Sequence, residues 1–404
     1  MMEFVNGGIC AAKGFKASGV HCGIRKNKTK KDLALIVSEK RAAVAATFTT
    51  NLIKGAPIAV TKANIADGYA QAVICNSGNA NTCNANGVEI AEGMCALVEQ
   101  YTGISQKDVV VASTGVIGQQ MTIDPIADGM QSLMDGLGEN SKDAAHAIMT
   151  TDTKLKEVAL SFEIGGKVCS IGGIAKGSGM IHPNMATMLC FLTTDTAITP
   201  NLLQKALSAT IVDTFNMISI DGDTSTNDTV AILANGMAEN PCITEEGEDF
   251  DTFCKALKKI CVVLSKKIAA DGEGATKLLV CTVSNAETDE IARAVSKSVI
   301  CSSLLKAAMF GADANWGRVL CAIGYSGAPV DIHKIDVRFK SEAGAILVCE
   351  NGMGTDFSEA IAKDVLMCSE ILIDIDLKSG DASASAYGCD LTYDYVKING
   401  DYRT

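Results

Sequence analysis

Histidine is scarce in this chain: 404 residues hold only His21, His146, His182 and His333. A Ser-His-Asp hydrolase needs one of them beside its nucleophile, and the GxSxG elbow that would present a serine is missing; GSGM at 177–180 does not fit it. Nor is KGSGM a phosphate-binding P-loop, because no Lys-Ser/Thr follows at the right place. The sixteen cysteines form no CxxC pair, and the nearest two, Cys254 and Cys261, stand seven apart. Zinc and iron–sulfur sites want closer spacing. Most of the cysteines lie in apolar runs such as AVICN and AILVCE, where buried thiols of a reducing compartment belong. No run of about 18 uncharged apolar residues occurs, so no membrane span is expected. The opening MMEFVNGGICAAKGF carries an early acid and no long apolar stretch, so no secretory signal is expected and the cytoplasm is the natural setting. Basic residues are outnumbered 35 to 47, a net charge of −12. That balance argues against nucleic acid as the main partner, although a small molecule could still meet a local basic residue.

What is present is apolar and long. Hydrophobic residues make up 48% of the chain, enough for a large core. At 404 residues, two domains or a duplication are expected. No repeat of 20–50 residues is visible, and no Pro-rich or Ser-rich linker separates two halves, so a tight interface is expected. Strand-like runs stand at 34–38, 43–50, 71–78 and 107–118, and helix-like runs at 87–103 and 141–149, the latter with Ser141 as candidate N-cap. Residues 156–176 read as a hairpin around Gly165-Gly166. MLCFLTTD and ATKLLVCTVSNA read as strands. PNLLQKALSATIVDTFNMIS is a helix running into a strand, EDFDTFCKALKKICVVLSKKIAADGEG a long amphipathic helix, and DEIARAVSKSVICSSLLKAAMFG is helical. The tail, including CDLTYDYVKING, reads as a β-rich sheet. The fold class is therefore mixed α/β (α+β).

One stretch invites a chemical reading: AKGSGMIHPNMATMLCF at 175–191 bends through glycines, a proline and an asparagine before Thr187. A plain loop entering a core strand would explain it. So would a threonine held for chemistry. Cutting Ala186–Thr187 would free an α-amine that titrates near about 7.7–8.0 and could take the proton of its own Oγ, with no histidine required. Cys169 stands before the stretch and Cys190 near its end, but a cysteine nucleophile there would have only His182 as a nearby base. GDTSTND at 222–228 has the look of a calcium loop through Asp221 and Asp223. However, its twelfth position is Ile232 rather than a glutamate; a polar turn is the plainer reading, and a structural contribution to a site the next.

KGSGMIHPNMATML resembles the self-cleavage motif of the ornithine acetyltransferases, also called bifunctional glutamate N-acetyltransferases, of arginine biosynthesis. NSGNAN at 76–81, STGVIG at 113–118, MTTDT at 149–153, IDGDTSTND at 220–228, GEGATK at 272–277, GADANWGRV at 311–319 and GCDLTYDYVKINGDYRT at 388–404 resemble the same family in the same order. The resemblance covers essentially the whole chain. CNANG after the first of these segments and the lysine in KING depart from the pattern without touching a proposed catalytic group.

The resemblance implies a two-domain layered α/β sandwich of the self-cleaving, N-terminal-nucleophile-like type, cut into an α chain, 1–186, and a β chain, 187–404. It implies Thr187 as nucleophile and Thr114 with Gly115 as oxyanion hole, a hydroxyl and a backbone N–H aimed at the tetrahedral oxygen. Substrate contacts would fall on Thr150, Lys176, Thr187, Glu273, Asn399 and Thr404; a one-residue slip would exchange Thr150 for Thr151. Taken alone, STGVIG is a turn after a strand, and Lys176 and Glu273 are solvated loop charges. The implied reaction moves the acetyl group of N²-acetyl-L-ornithine to L-glutamate through an acetyl-threonine, with no metal or organic cofactor. Family members that also accept acetyl-CoA share these motifs. The implied assembly is an α2β2 heterotetramer. A self-cleaving amidase or aminopeptidase on the same scaffold, passing its acyl group to water, is the nearest alternative; an uncut binding protein with a decayed site is a more distant one.

Overall fold

A computed structural model describes residues 2–182 and 188–401. Two sheets organise them. The first has nine strands, in the order Glu3–Val5, Lys156–Ile164, Lys167–Lys176, Leu189–Thr194, Thr229–Ala234, Leu33–Phe48, Tyr69–Asn79 and Val109–Val116, with Phe15–Val20 also paired to Leu33–Phe48. Its pairings are antiparallel except two: Leu189–Thr194 with Thr229–Ala234, and Tyr69–Asn79 with Val109–Val116. The second sheet has seven strands, in the order Met353–Gly354, Gly344–Glu350, Asp336–Ser341, Glu370–Asp376, Leu278–Ala286, Ala382–Cys389 and Ile218–Ser219.

The helix Glu248–Ala269 packs on the strands Lys156–Ile164 and Lys167–Lys176 of the first sheet and on Ala382–Cys389 of the second. Phe253, Leu257, Ile260, Leu264 and Ile268 recur at helical spacing and are fully buried. Glu248, Asp249 and Asp251 open the helix and Lys266 and Lys267 close it, the charge order its dipole favours. One hydrophobic cluster runs from Leu192 and Ile232 of the first sheet through this helix to Cys281 and Ile373 of the second. The tight interface expected from the missing linker is therefore a shared core. The helices Gly87–Thr102 and Asp124–Asp135 cover one face of the first sheet's parallel end.

The hairpin at 156–176 forms as expected: Ile164 pairs with Lys167, and Gly165 and Gly166 take φ of +55° and +75°, the positive values a two-residue type I′ turn requires. Other expectations need correction. The runs at 34–38 and 43–50 are one strand, Leu33–Phe48, whose register shifts between Val37 and Ala42; exposed Glu39, Lys40 and Arg41 interrupt the apolar pattern there without ending the strand. Ser141 is the first residue of its helix and not the cap, and its Oγ accepts from Ile9 N at 3.1 Å. Residues 289–311 form two helices, Asp289–Cys301 and Ser303–Phe310, because Ser302 breaks the run and its hydroxyl caps the second by accepting from Leu305 N. CDLTYDYVKING is not a strand. Tyr393–Asp401 is helical, started by Thr392, whose hydroxyl accepts from Tyr395 N and donates to Gly274 O. The strand in that region is Ala382–Cys389, whose small residues gave no β signal.

Position 186/187 falls between Lys167–Lys176 and Leu189–Thr194, neighbouring strands of the first sheet. The sheets thus divide the chain elsewhere, with most of the second sheet formed from Leu278 onward. No helix among the described residues is long and apolar enough to cross a membrane.

Candidate active site

The site grows from the ends of the parallel strands Tyr69–Asn79 and Val109–Val116, where α/β sheets commonly open a binding crevice. A bulge sets Asn79 opposite both Thr114 and Val116. At Gly115 φ is +134°, and a Cβ would stand 2.4 Å from the carbonyl carbon of Gly78. Only glycine allows the strands to close this way, and the closure places Thr114 and Gly115 on the wall of a cavity.

The strand Lys167–Lys176 brings Lys176 to the same cavity. Lys176 pairs across the sheet with Leu189, so the chain leaves the sheet at Lys176 and returns to it beside that residue at Leu189. Around the start of this stretch lies a buried charge cluster. Lys156 Nζ donates to Asp152 Oδ1 at 2.7 Å and to Asp271 Oδ2 at 2.5 Å, with both lysine and Asp152 side chains fully buried. Asp152 also accepts from Gly177 N at 2.7 Å and from Thr150 N at 2.9 Å. Burial pushes the Asp152 carboxyl up, but the charges of Lys176 and Lys156 outweigh it and hold the group well below the usual carboxylate range. Burial in turn lowers the Lys176 ammonium, opposed by Asp152.

The segment read as a polar turn, 221–228, organises the rest. Asp221 accepts from Met180 N at 2.6 Å and Ile181 N at 2.8 Å, and Thr224 Oγ1 donates to His182 O at 2.8 Å. Its carboxylate is thereby engaged with backbone, a structural use in place of a calcium ligand's. Met180 is held at φ +55°, uncommon outside glycine. Asn227 ties two other motifs together: its Nδ2 donates to Ala80 O and to Ser113 O, and its Oδ1 accepts from Thr82 Oγ1 at 2.6 Å. Asp228 is buried; desolvation raises its carboxyl well above the usual range, and its Oδ2 has no hydrogen-bond partner among the described residues.

On the last side, Glu273 accepts from Asn399 Nδ2 at 2.8 Å. Gly179 makes room for that carboxylate, since a Cβ there would stand 2.4 Å from it. Thr114, Gly115, Thr150, Lys176, Glu273 and Asn399 all line this one cavity of about 630 Å³. Thr151 lines it as well, so the register between the two threonines stays open. Ala186, Thr187 and Thr404 lie outside the described residues. Met188, which follows Thr187 in the chain, lines an adjoining recess together with Thr114, Lys176 and Asp228. Ser225, Thr226 and Asn227 of GDTSTND also line the cavity, so this polar turn contributes to the site as well.

The cysteine alternative finds no support. Burial pushes the Cys169 thiol up to about 11 and that of Cys190 well above its ordinary value. His182 Nδ1 faces Ser219 Oγ at 3.0 Å and Cys301 Sγ at 3.6 Å. Burial and the nearby Lys297 push its imidazole down to about 4, so it is neutral at pH 7.

Layered sheets with a partly open cavity lined by polar groups at the end of a parallel strand pair define a mixed α/β protein with a small-molecule site. Comparison with known proteins makes the assignment specific: residues 16–404 match the ArgJ family, and the chain belongs to it. It is 50% identical over 405 residues to the arginine biosynthesis bifunctional protein ArgJ of Caldanaerobacter subterraneus, covering 100% of each chain. Its identity to the protein of that name from Bacillus subtilis is 46% over 402 residues, covering 99% of this chain and 97% of that one. A crystal structure of the arginine biosynthesis bifunctional protein of Bacillus halodurans matches with a TM-score of 0.50 at 47% identity, over 52% of this chain and 98% of that chain.

Proposed function

We propose that this protein is an acetyltransferase of arginine biosynthesis that moves the acetyl group of N²-acetyl-L-ornithine to L-glutamate through an acetyl-threonine at Thr187. The observation that carries this reading is the cavity, which gathers residues far apart in sequence, 114, 115, 150, 176, 273 and 399, in the residue types the reaction needs. Maturation begins when Thr187 Oγ attacks the Ala186 carbonyl. The N-to-O shift makes an ester, and water releases an Ala186 carboxylate and a Thr187 α-amine. That amine then takes the Oγ proton as the oxygen attacks the acetyl carbonyl. The Thr114 hydroxyl and Gly115 N–H hold the resulting oxyanion. The proton passes to ornithine's departing α-nitrogen. Glutamate's amine next attacks the ester and restores the threonine. Lys176 pairs with the substrate α-carboxylate, and Glu273 with the ornithine side-chain ammonium while Asn399 orients it. Thr150 and Thr404 complete the contacts. No metal or organic cofactor takes part. The cut chains, 1–186 and 187–404, remain together as an α2β2 heterotetramer in the cytoplasm, with an N-terminal-nucleophile-like arrangement at the cut.

The half-length chain of the Bacillus halodurans structure, matched over 98% of itself, supports a cut form. The test is the denatured mass of the purified protein, with N-terminal sequencing and product analysis. Two chains, the second starting TMLCF, together with acetylglutamate as product, are expected. A single active chain of 42.1 kDa would overturn the α-amine mechanism, and free acetate in place of acetylglutamate would make the protein an amidase.

A further inference from the structure

The first step of the proposed self-cleavage still lacks a proton acceptor. When Thr187 Oγ attacks, the α-amine that serves later is still the amide nitrogen of the Ala186–Thr187 bond and has no basic pair to offer. His182 lines neither the cavity nor the adjoining recess, and its Nδ1 faces Ser219 and Cys301. Lys176 faces Asp152, whose charge favours the ammonium over the free amine. Of the carboxylates around the cavity, Asp152 is paired with Lys156, Asp221 receives the Met180 and Ile181 N–H groups, and Glu273 receives Asn399. Asp228 differs from them: it is 2% exposed, and its Oδ2 has no hydrogen-bond partner among the described residues. The sheet register sets this carboxyl close to the cut. Thr229 pairs with Leu189 in two parallel strands, so the residues just ahead of them, Asp228 and Met188, stand side by side. Thr229 N donates to Met188 O at 2.9 Å, and the Met188 N–H approaches the Asp228 carboxyl. Thr187 is the next residue back along the chain. Asp228, Met188, Lys176 and Thr114 together line a recess of about 230 Å³. Lys176 is the charged group that acts on Asp228, and Ser225 and Thr49 approach it as well; burial outweighs them and raises the carboxyl well above the usual range. A raised carboxyl is a stronger base than an ordinary one, and proton transfer is most efficient when the base is matched to the working pH.

We propose that Asp228 is the general base of the self-cleavage at Ala186–Thr187. Its carboxylate takes the Thr187 Oγ proton as Oγ bonds to the Ala186 carbonyl carbon. The same proton passes to the Thr187 nitrogen as the C–N bond breaks, which leaves an ester, a free amine and Asp228 ionised again. Water then hydrolyses the ester to the Ala186 carboxylate. Once the α-amine exists it accepts the Oγ proton in each transfer cycle, so the work of Asp228 as a base belongs to maturation. The proposal rests on the self-cleavage reading above.

The test times the cutting of freshly made full-length chain. Wild type, Asp228→Asn and Asp228→Ala are produced by cell-free translation, moved to buffers across the neutral range, and followed by gel and intact mass. The wild-type rate is expected to rise with pH through a value above the ordinary carboxyl pKa of about 4, because the base acts when ionised. Asp228→Asn keeps the shape of the side chain and should cut about 10²–10⁴-fold more slowly at pH 7. Hydroxylamine, which cleaves an ester already formed, should not release it, since the ester does not form. Formate should restore part of the cutting in Asp228→Ala, and formamide, which fills the same space without a basic oxygen pair, should not. Cutting of Asp228→Asn at the wild-type rate, its release by hydroxylamine, equal rescue by formamide, or a wild-type rate indifferent to pH would overturn the proposal. A wild-type chain that stays whole, or is cut at another bond, would instead overturn the self-cleavage reading and this step with it.

Discussion

Replacing Asp152 with asparagine keeps the shape of a fully buried side chain and removes its charge. Two lysines lose a partner: Lys156, which retains Asp271, and Lys176, whose ammonium already sits in a desolvated position. An amide also cannot satisfy every donor that Asp152 now receives, from Gly177 N, Thr150 N and Lys156 Nζ. Breaking a buried ion pair on one side costs about 3–5 kcal/mol. With an unfolding entropy of about 2.1 cal/mol/K per residue, 404 residues give about 0.85 kcal/mol/K, so the midpoint should fall by about 4–6 °C. The pH dependence has a definite sign. The folded-state pKa is depressed, so the contribution of Asp152 is fully present above its unfolded value near about 4 and is lost as pH falls through the folded value. The difference between wild type and Asp152→Asn should hold from pH 8 to about 5 and shrink in stronger acid. Scanning fluorimetry across that range measures it. A midpoint change under about 1 °C at pH 7, or a difference that grows in acid, would refute the ion-pair account.

On the proposed mechanism, Thr114→Ala should lower the rate of acetyl transfer by about 10²–10³ with little change in KM, because there the hydroxyl would act on a charge that develops only in the transition state. An effect on KM alone would place Thr114 in ground-state binding. Alkylation of the native protein at pH 7.5, read by peptide mass mapping, should spare Cys169 and Cys190 and favour the exposed Cys83, Cys242 and Cys321. Early loss of activity with modification of Cys190 would contradict the burial described.

Local rules read the long helix Glu248–Ala269 and the 156–176 hairpin well, because each announces itself by period or by a turn that Gly-Gly favours. They failed where a neighbour decided the outcome. Tyr393–Asp401 has β-prone residues, yet a threonine cap seated on Gly274 turns it into a helix. The strand Ala382–Cys389 is made by its pairing with Leu278–Ala286, not by its small side chains. The cavity was legible only as an ordered set of motifs. No periodicity joins Thr114 to Glu273 or Asn399, and those positions meet through sheet closure, the Asp221 and Asn227 bridges and the final helix. Ser225 and Thr226 read first as a polar turn, because polar turn residues look alike until their surroundings are known.

The placement of position 186/187 between two paired strands has a consequence for assembly. Lys167–Lys176 and Leu189–Thr194 are joined edge to edge over six residue pairs, and Leu33–Phe48 lies against Thr229–Ala234 over six more. A break in the covalent chain there leaves every rung of those ladders standing. Neither piece could then drift away without baring two raw strand edges and part of a shared core. Were the chain cut there as proposed, each piece would serve as the mould in which the other is cast, and the two would be made as one chain before becoming two.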